Sequence, residues 1–123
     1  MSDRRLIDYL DHMYQAASDA GSFVAGFSKE QFLADRRTQQ AVIMSLVIIG
    51  EAASKVMDQY PQFVANNPGL PWRSIRGMRN RMAHGYFDVD LDVVWDTVQV
   101  SLPELMEQMS SIRRDAEASR RST

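Results

Sequence analysis

Cysteine is absent from this chain of 123 residues. Without thiols there is neither a disulfide framework nor a thiolate-bound metal, and the redox compartment stays open. Strict alternation of apolar and polar residues, the signature of a half-buried strand, is almost missing as well, which disfavours sheet architectures. Long hydrophobic runs are lacking: the most apolar stretch, "AVIMSLVIIG", holds ten residues before Glu51 interrupts it, against about 20 for a bilayer span. The opening "MSDRRLIDYL" is followed by Asp11 and already contains Asp8, so its apolar patch is no signal-peptide core. A cytoplasmic protein with no membrane role is expected. Neither sign of charge dominates: 14 basic residues face 16 acidic ones, for a formal net charge of -2. Nucleic acid therefore feels no global attraction, and any affinity for phosphate has to be local. His12 lies near Asp8 and Asp11 but has no further ligand in a metal-binding spacing, so neither metal nor cofactor is expected.

What is present is helical spacing, nearly throughout. Leu6, Ile7, Leu10, Met13, Tyr14 and Ala17 recur at three and four, marking a first helix that Gly21 and Gly26 close. Ser28 with Gln31 has the spacing of a capping box and starts a short second helix. A long third helix runs from about Asp35 to Tyr60, with Val42, Leu46, Ile49, Ala53 and Val56 on one stripe and Ile43, Val47 and Ile48 widening it. Such a helix belongs at the centre. Pro61 ends it, and the turn-rich "ANNPGLP" leads to a fourth helix with Pro71 in its first turn. A fifth runs from about Asp90, its buried stripe formed by Val94, Val98, Leu102, Leu105, Met109 and Ile112, with a kink expected at Pro103. The spacing predicts an all-α, up-and-down bundle of four to five helices in one domain over residues 1–115, followed by a polar, frayed tail over 116–123.

The fourth helix carries the chemistry, in the stretch "RGMRNRMAHGYFDVD". At about 100° per residue, Trp72, Ile75, Met78, Met82 and Ala83 form an apolar arc, and Arg73, Arg76, Asn80 and His84 share the polar arc beside it. Arg81 lies away from that polar arc. Arg79 points into the apolar side, where its guanidinium needs a carboxylate, a phosphate or a set of carbonyls. Glu51 on the central helix is one candidate partner, and a cleft shared with a second copy of the chain is another. Arg79 and His84 are five residues apart, about 140° around a straight helix, so one regular helix cannot aim both at the same atom. Either the helix loosens near Gly85 or a partner copy supplies one of the two groups.

Arg79 and Asn80, His84 five positions after the arginine, and Tyr86 two beyond resemble the R-x4-H-x-Y motif of HEPN-domain ribonucleases. "IIGEAASKV", "PWRSIRGMRNRMAHGYFDVD" and "VWDTV" are similar to the HepT-like toxin branch of that superfamily, over roughly the central two thirds of the chain. The resemblance implies a HEPN-like helical dimer joined through the motif helix, possible larger assemblies, and a metal-independent endoribonuclease. It also implies a toxin neutralised by a minimal nucleotidyltransferase antitoxin, which in some members adds adenylate to the tyrosine that corresponds to Tyr86. The alternative within the same resemblance is a non-catalytic nucleotide- or RNA-binding module that partners such a nucleotidyltransferase.

The side chains suit that chemistry, because RNA carries its own nucleophile in the 2'-hydroxyl and needs only a base, an acid and charge neutralisation at phosphorus. An imidazole such as that of His84 exchanges protons near neutrality, and the fork of Arg79 holds two phosphate oxygens. Asn80 would orient the imidazole or bind phosphate, Tyr86 would place its hydroxyl at the cleft edge, and Arg73 and Arg76 would track the RNA backbone. Each residue also has a plainer reading. His84 near a helix end favours the dipole, Arg73, Arg76 and Arg81 are solvated surface, Tyr86 packs beside Phe87, and Glu51 with Lys55 is an ordinary helix pair.

Overall fold

The computed structural model describes residues 2–121, and among them every regular element is helical. Helix α1 (Ser2–Phe23) buries Leu6, Ile7, Leu10, Met13 and Ala17 as their spacing predicts, whereas Tyr14 turns outward. Gly26, at φ +81°, turns the chain into α2 (Lys29–Ala34), a backbone angle that an L side chain resists. The capping box forms: Ser28 Oγ accepts from the Gln31 N–H at 3.1 Å, and the Gln31 side chain accepts from the Ser28 N–H at 2.8 Å.

Helix α3 (Arg36–Gln59) starts at Asp35, whose carboxylate accepts from the Thr38 N–H. Val42, Leu46, Ile49, Ala53 and Val56 are fully buried, with α1 packed on one side. With 24 residues, α3 is long and apolar enough to cross a bilayer by length and composition. The brevity of its apolar run therefore does not set it apart from a span; what defines its place here is burial as the core helix. Pro61 does more than end α3. The backbone breaks at Tyr60 (φ -134°, ψ 57°), and Pro61 opens a further helix, α4 (Pro61–Asn66), at the first-turn position where its missing N–H costs nothing. The turn-rich connection thus begins inside a helix, with Ala65 and Asn66 as the last residues of α4.

Helix α5 (Trp72–His84) lies across α3, anchored at its start by the Trp72 Nε1–H donating to the Asn67 carbonyl at 3.0 Å. After a short 3-10 turn over Tyr86–Asp88, α6 (Leu91–Asp96) starts on the Asp90 carboxylate, which accepts from the N–H groups of Asp92 and Val93. The expected kink at Pro103 takes the form of a π turn over Thr97–Ser101, closed by the Leu102 N–H donating to the Thr97 carbonyl, before α7 (Leu102–Arg121). Widening the turn just before the proline accommodates its ring and its missing donor without stopping the helix. The buried stripe holds across the turn, from Val94 and Val98 to Leu102, Leu105, Met109 and Ile112.

Helix α7 continues past residue 115, where a frayed tail was expected, because Ala116 extends the buried stripe and Arg113 binds the Asp11 carboxylate of α1. That carboxylate raises the pKa of Arg113 by hydrogen bonding and charge, and Asp92 does the same for Lys29, tying α2 to α6. The end of the expected tail, residues 122 and 123, lies outside the described residues. The bundle is all-α, with α1 against α3 and α7, and α3 against α5. Its helical segments outnumber the four or five expected, because Pro61 and the turn before Pro103 subdivide what the spacing reads as longer units.

Candidate functional site

The polar and apolar arcs of α5 meet different fates. Trp72, Ile75 and Met82 are buried and Met78 half-buried, while Ala83, placed by the wheel on the apolar arc, is exposed. Arg76, expected to follow an RNA backbone, is held by the protein instead. Its Nε donates to Ser54 Oγ at 3.2 Å, and its Nη2 donates to the Ser54 carbonyl at 3.0 Å and to Asp58 Oδ1 at 2.6 Å. Three charge-assisted bonds to α3 make it a rivet between helices. Arg73 is exposed at the opposite end of α5, beside Met57, Pro61 and Trp72. Eleven residues of helix set it about 16 Å along the axis from His84.

Arg79 crosses the central helix at Gly50. A Cβ built on Gly50 would overlap Arg79 Cβ outright, lie 2.8 Å from Arg79 Cγ and come within 3.1 Å of the Ile75 carbonyl oxygen. Glycine inside a helix costs roughly 1 kcal/mol against alanine, and here it lets α5 approach closely enough to lay Arg79 along α3. The guanidinium ends beside Glu51, with Nε 3.3 Å from Oε2. That separation is an ion pair, yet the Nε–H is not directed at the carboxylate and, though buried, makes no hydrogen bond. Glu51 is thus the internal partner expected for Arg79, and it leaves one buried donor of the guanidinium unsatisfied. Gly50→Ala is expected to lower stability by about 1–2 kcal/mol, the overpacking cost exceeding the gain in helix propensity. Urea denaturation measures this. The same substitution in an Arg79→Gly background should cost less, and an equal cost in both would show that the Arg79 contact is not what Gly50 accommodates.

Helix α5 stays regular to its end. The Gly85 N–H donates to the Arg81 carbonyl at 2.8 Å, an ordinary i to i-4 bond, so the helix does not loosen before His84. Arg79 and His84 keep their divergence of about 140°. His84 is exposed and lines a cleft of about 600 Å³ between the end of α5 and the α6 segment, together with Asn80, Arg81, Asp88 and Thr97. Arg79 and Tyr86 lie outside this cleft. Tyr86 sits on the 3-10 turn, 39% exposed, stacked on Phe87 at a centroid distance of 5.9 Å, and borders a groove against Gln40 and Ile43 of α3. Asn80 and His84 are therefore brought together within one chain, while Arg79 and Tyr86 face elsewhere.

Arg81 is the residue that sequence reasoning passed over. Three positions before His84, it stands about 60° from that residue around the helix, yet off the arc shared by Arg73, Arg76, Asn80 and His84; the folded α6 segment closes the cleft that both side chains line.

The α3 face that carries Glu51, the ion-pair partner of Arg79, is otherwise apolar: Met44 and Ile48 on it are 58% and 42% exposed. Phe87, in the groove beside Tyr86, is fully exposed. Among the described residues no group of three or more His, Cys, Asp or Glu side chains gathers in a metal-binding arrangement, and His12 stands exposed on α1.

Comparison with known proteins agrees with the motif on α5. Residues 13–112 match the family described as Ribonuclease HepT-like. A protein of Thermococcus cleftensis named "Probable ribonuclease HepT" is 36% identical over 107 residues, 87% of this chain and 94% of its own. Two relatives named provisionally as RNases come from Methanocaldococcus jannaschii, at 31% identity over 91% of this chain and 87% of its own, and from Caldanaerobacter subterraneus, at 34% over 85% and 90%. No solved structure matches the chain. Resemblance, helical architecture and the family match over most of the sequence converge: the chain belongs to the HepT-like ribonuclease family.

Proposed function

We propose that this protein is a cytoplasmic endoribonuclease that cleaves RNA by attack of the substrate's own 2'-hydroxyl, at a composite site formed by two copies of the chain. The observation that carries the reading is the pairing of opposites on α5: an exposed imidazole in an open cleft, and on the far side of the same helix a guanidinium with a buried, unbonded Nε–H. An unsatisfied buried donor costs on the order of 1–3 kcal/mol, and more on a charged group; a phosphate held by the part of the Arg79 side chain that stays exposed, 22% of it, would offset some of that. Because a regular helix separates Arg79 from His84, a two-fold partner is the arrangement that brings the guanidinium of one copy toward the imidazole of the other. The exposed Met44 and Ile48, on the α3 face of Glu51, the ion-pair partner of Arg79, provide apolar surface for such a contact.

In this reading His84 accepts the 2'-hydroxyl proton as the oxygen attacks phosphorus, and water protonates the departing 5'-oxygen, the hydroxide so formed taking the proton back from the imidazolium. The attack forms a 2',3'-cyclic phosphate and breaks the bond to the 5'-oxygen. Arg79 stabilises the charge that grows on the non-bridging oxygens. Since the nucleophile belongs to the substrate, the reaction needs no divalent metal. The relatives' names point to RNA as the substrate class. The activity fits a toxin restrained by a minimal nucleotidyltransferase, and Tyr86, exposed on a turn outside the cleft, is open to adenylate transfer by that antitoxin.

RNA incubated with the purified protein in excess chelator should be cut and should carry 2',3'-cyclic phosphate ends, while the same oligonucleotide with deoxyribose at the scissile position should stay intact. Loss of cleavage on chelation, or cutting of the deoxy substrate, would overturn the 2'-hydroxyl mechanism. Binding of RNA without any cleavage would favour a non-catalytic module.

A further inference from the structure

We infer that Arg81 is a phosphate-binding residue for the RNA substrate, acting in the same chain and the same cleft as His84; the inference rests on the ribonuclease reading above. Four arginines lie on α5, and the structure commits two of them: Arg76 to Ser54 and Asp58, and Arg79 to Glu51. Arg73 sits at the other end of the helix, in a different depression. Among the described residues Arg81 makes no ion pair or side-chain hydrogen bond, although Asp88 shares its cleft. Asp90 is there too, but its carboxylate is occupied by the first N–H groups of α6.

Position on the helix favours Arg81 over Arg79 as the cation next to His84. Residues three apart stand on neighbouring rows, with Cβ atoms about 5–6 Å from each other, whereas Arg79 is turned to the opposite side. A helical side chain leans back over the turn before it, so the ring of His84 covers the turn that carries Asn80 and Arg81. Gly77 keeps the next turn clear: a Cβ placed there would lie 3.3 Å from Arg81 Nη1, so the guanidinium lies back along its own helix over a position without a side chain. Arg81 and Thr97 also border a smaller, mostly apolar cavity of about 220 Å³ that reaches Ile49 and Leu105. A phosphate held by Arg81 at this junction places one bridging linkage beside His84 and leaves space behind it for an adjoining nucleotide.

The test compares wild type with Arg81→Ala and Arg81→Lys on a single-stranded RNA oligonucleotide. Binding is followed by anisotropy on the same oligonucleotide with deoxyribose at the scissile position, across a salt series. Arg81→Ala should raise KM about tenfold with a smaller change in kcat, and should reduce the salt dependence of binding by about 0.7 in the log–log slope, the contribution of one phosphate contact on a single strand. Arg81→Lys should restore the slope and only part of the KM. Unfolding midpoints should match wild type, since among the described residues the side chain makes no hydrogen bond or ion pair. Unchanged KM and unchanged salt slope in Arg81→Ala would overturn the assignment. If wild type bound RNA without cutting it, the ribonuclease reading would fail while the slope comparison still decided whether Arg81 holds phosphate.

Discussion

His84→Ala is expected to lower the rate of RNA cleavage by about 10²–10⁴-fold, the range supplied by a positioned proton-transfer group, while leaving the fold intact. The second half of that expectation is as specific as the first. His84 is exposed at the last position of α5, and the helix is closed behind it by the Gly85 N–H bonding to the Arg81 carbonyl, a main-chain contact that alanine preserves. Circular dichroism and the urea midpoint should therefore be indistinguishable from wild type. Arg79→Ala should lose a comparable factor, about 10²–10³-fold for an electrostatic contact to a developing oxyanion. Arg79→Lys should recover little, because an ammonium cannot reproduce the fork. The two variants differ in one respect. Arg79 packs over Gly50 and pairs with Glu51, so its truncation also loosens the α3–α5 contact, and a modest fall in stability accompanies the kinetic loss. Initial rates on one RNA oligonucleotide at fixed salt measure both. Wild-type cleavage by His84→Ala would remove the imidazole from the mechanism altogether.

Those expectations were partly legible before any fold was known, and the boundary between what could and could not be read is physical. The stripes of α3 and of α6–α7 were readable because burial on a helix repeats every three to four residues. Val42, Leu46 and Ile49, like Val94, Leu102 and Met109, keep the same face whatever their neighbours are. The divergence of Arg79 and His84 was readable for the same reason, being a property of one helix. Contacts between distant elements were harder. Arg76 shares an arc with His84, but an arc gives a direction and no partner; Ser54 and Asp58, 22 and 18 residues away, hold it against α3. Gly50 stands inside an apolar helix with nothing local to explain it, since its reason is the backbone of α5 crossing above. Arg81, three positions before His84, is its neighbour on the wheel; what the wheel lacks is α6, which turns that neighbourhood into a cleft. Pro61 shows a limit of a different kind: the same ring that ends one helix is well suited to begin the next, and only the backbone angles at Tyr60 separate the two outcomes.

Mixing two inactive variants should regenerate activity. If Arg79 of one copy serves His84 of the other, a dimer of one Arg79→Ala chain and one His84→Ala chain contains one site with both groups intact and one site with neither. Random exchange of equal amounts makes half of the dimers mixed, each with one complete site of two, so the mixture should reach about a quarter of wild-type activity. That is a gain of about 25-fold to 250-fold over Arg79→Ala alone and up to about 2,500-fold over His84→Ala alone. The prediction follows from the regularity of α5. With the Gly85 N–H bonded in register to Arg81, no local loosening is available to swing Arg79 and His84 together in one chain, and Arg79 stays outside the cleft that His84 lines. Were both groups to act within one chain, every dimer in the mixture would carry only broken sites and no activity would appear. A mixture as inactive as its parts, with subunit exchange verified by a tagged partner, would therefore rule out the shared site even if each variant behaved alone as expected. Arg81 sharpens the outcome, because it lies in the same cleft as His84. Arg81→Ala should be rescued by Arg79→Ala, which supplies an intact Arg81 and His84 in one chain while the Arg81→Ala copy supplies Arg79, but it should not be rescued by His84→Ala. That asymmetry separates the guanidinium acting within the chain from the one acting across the interface.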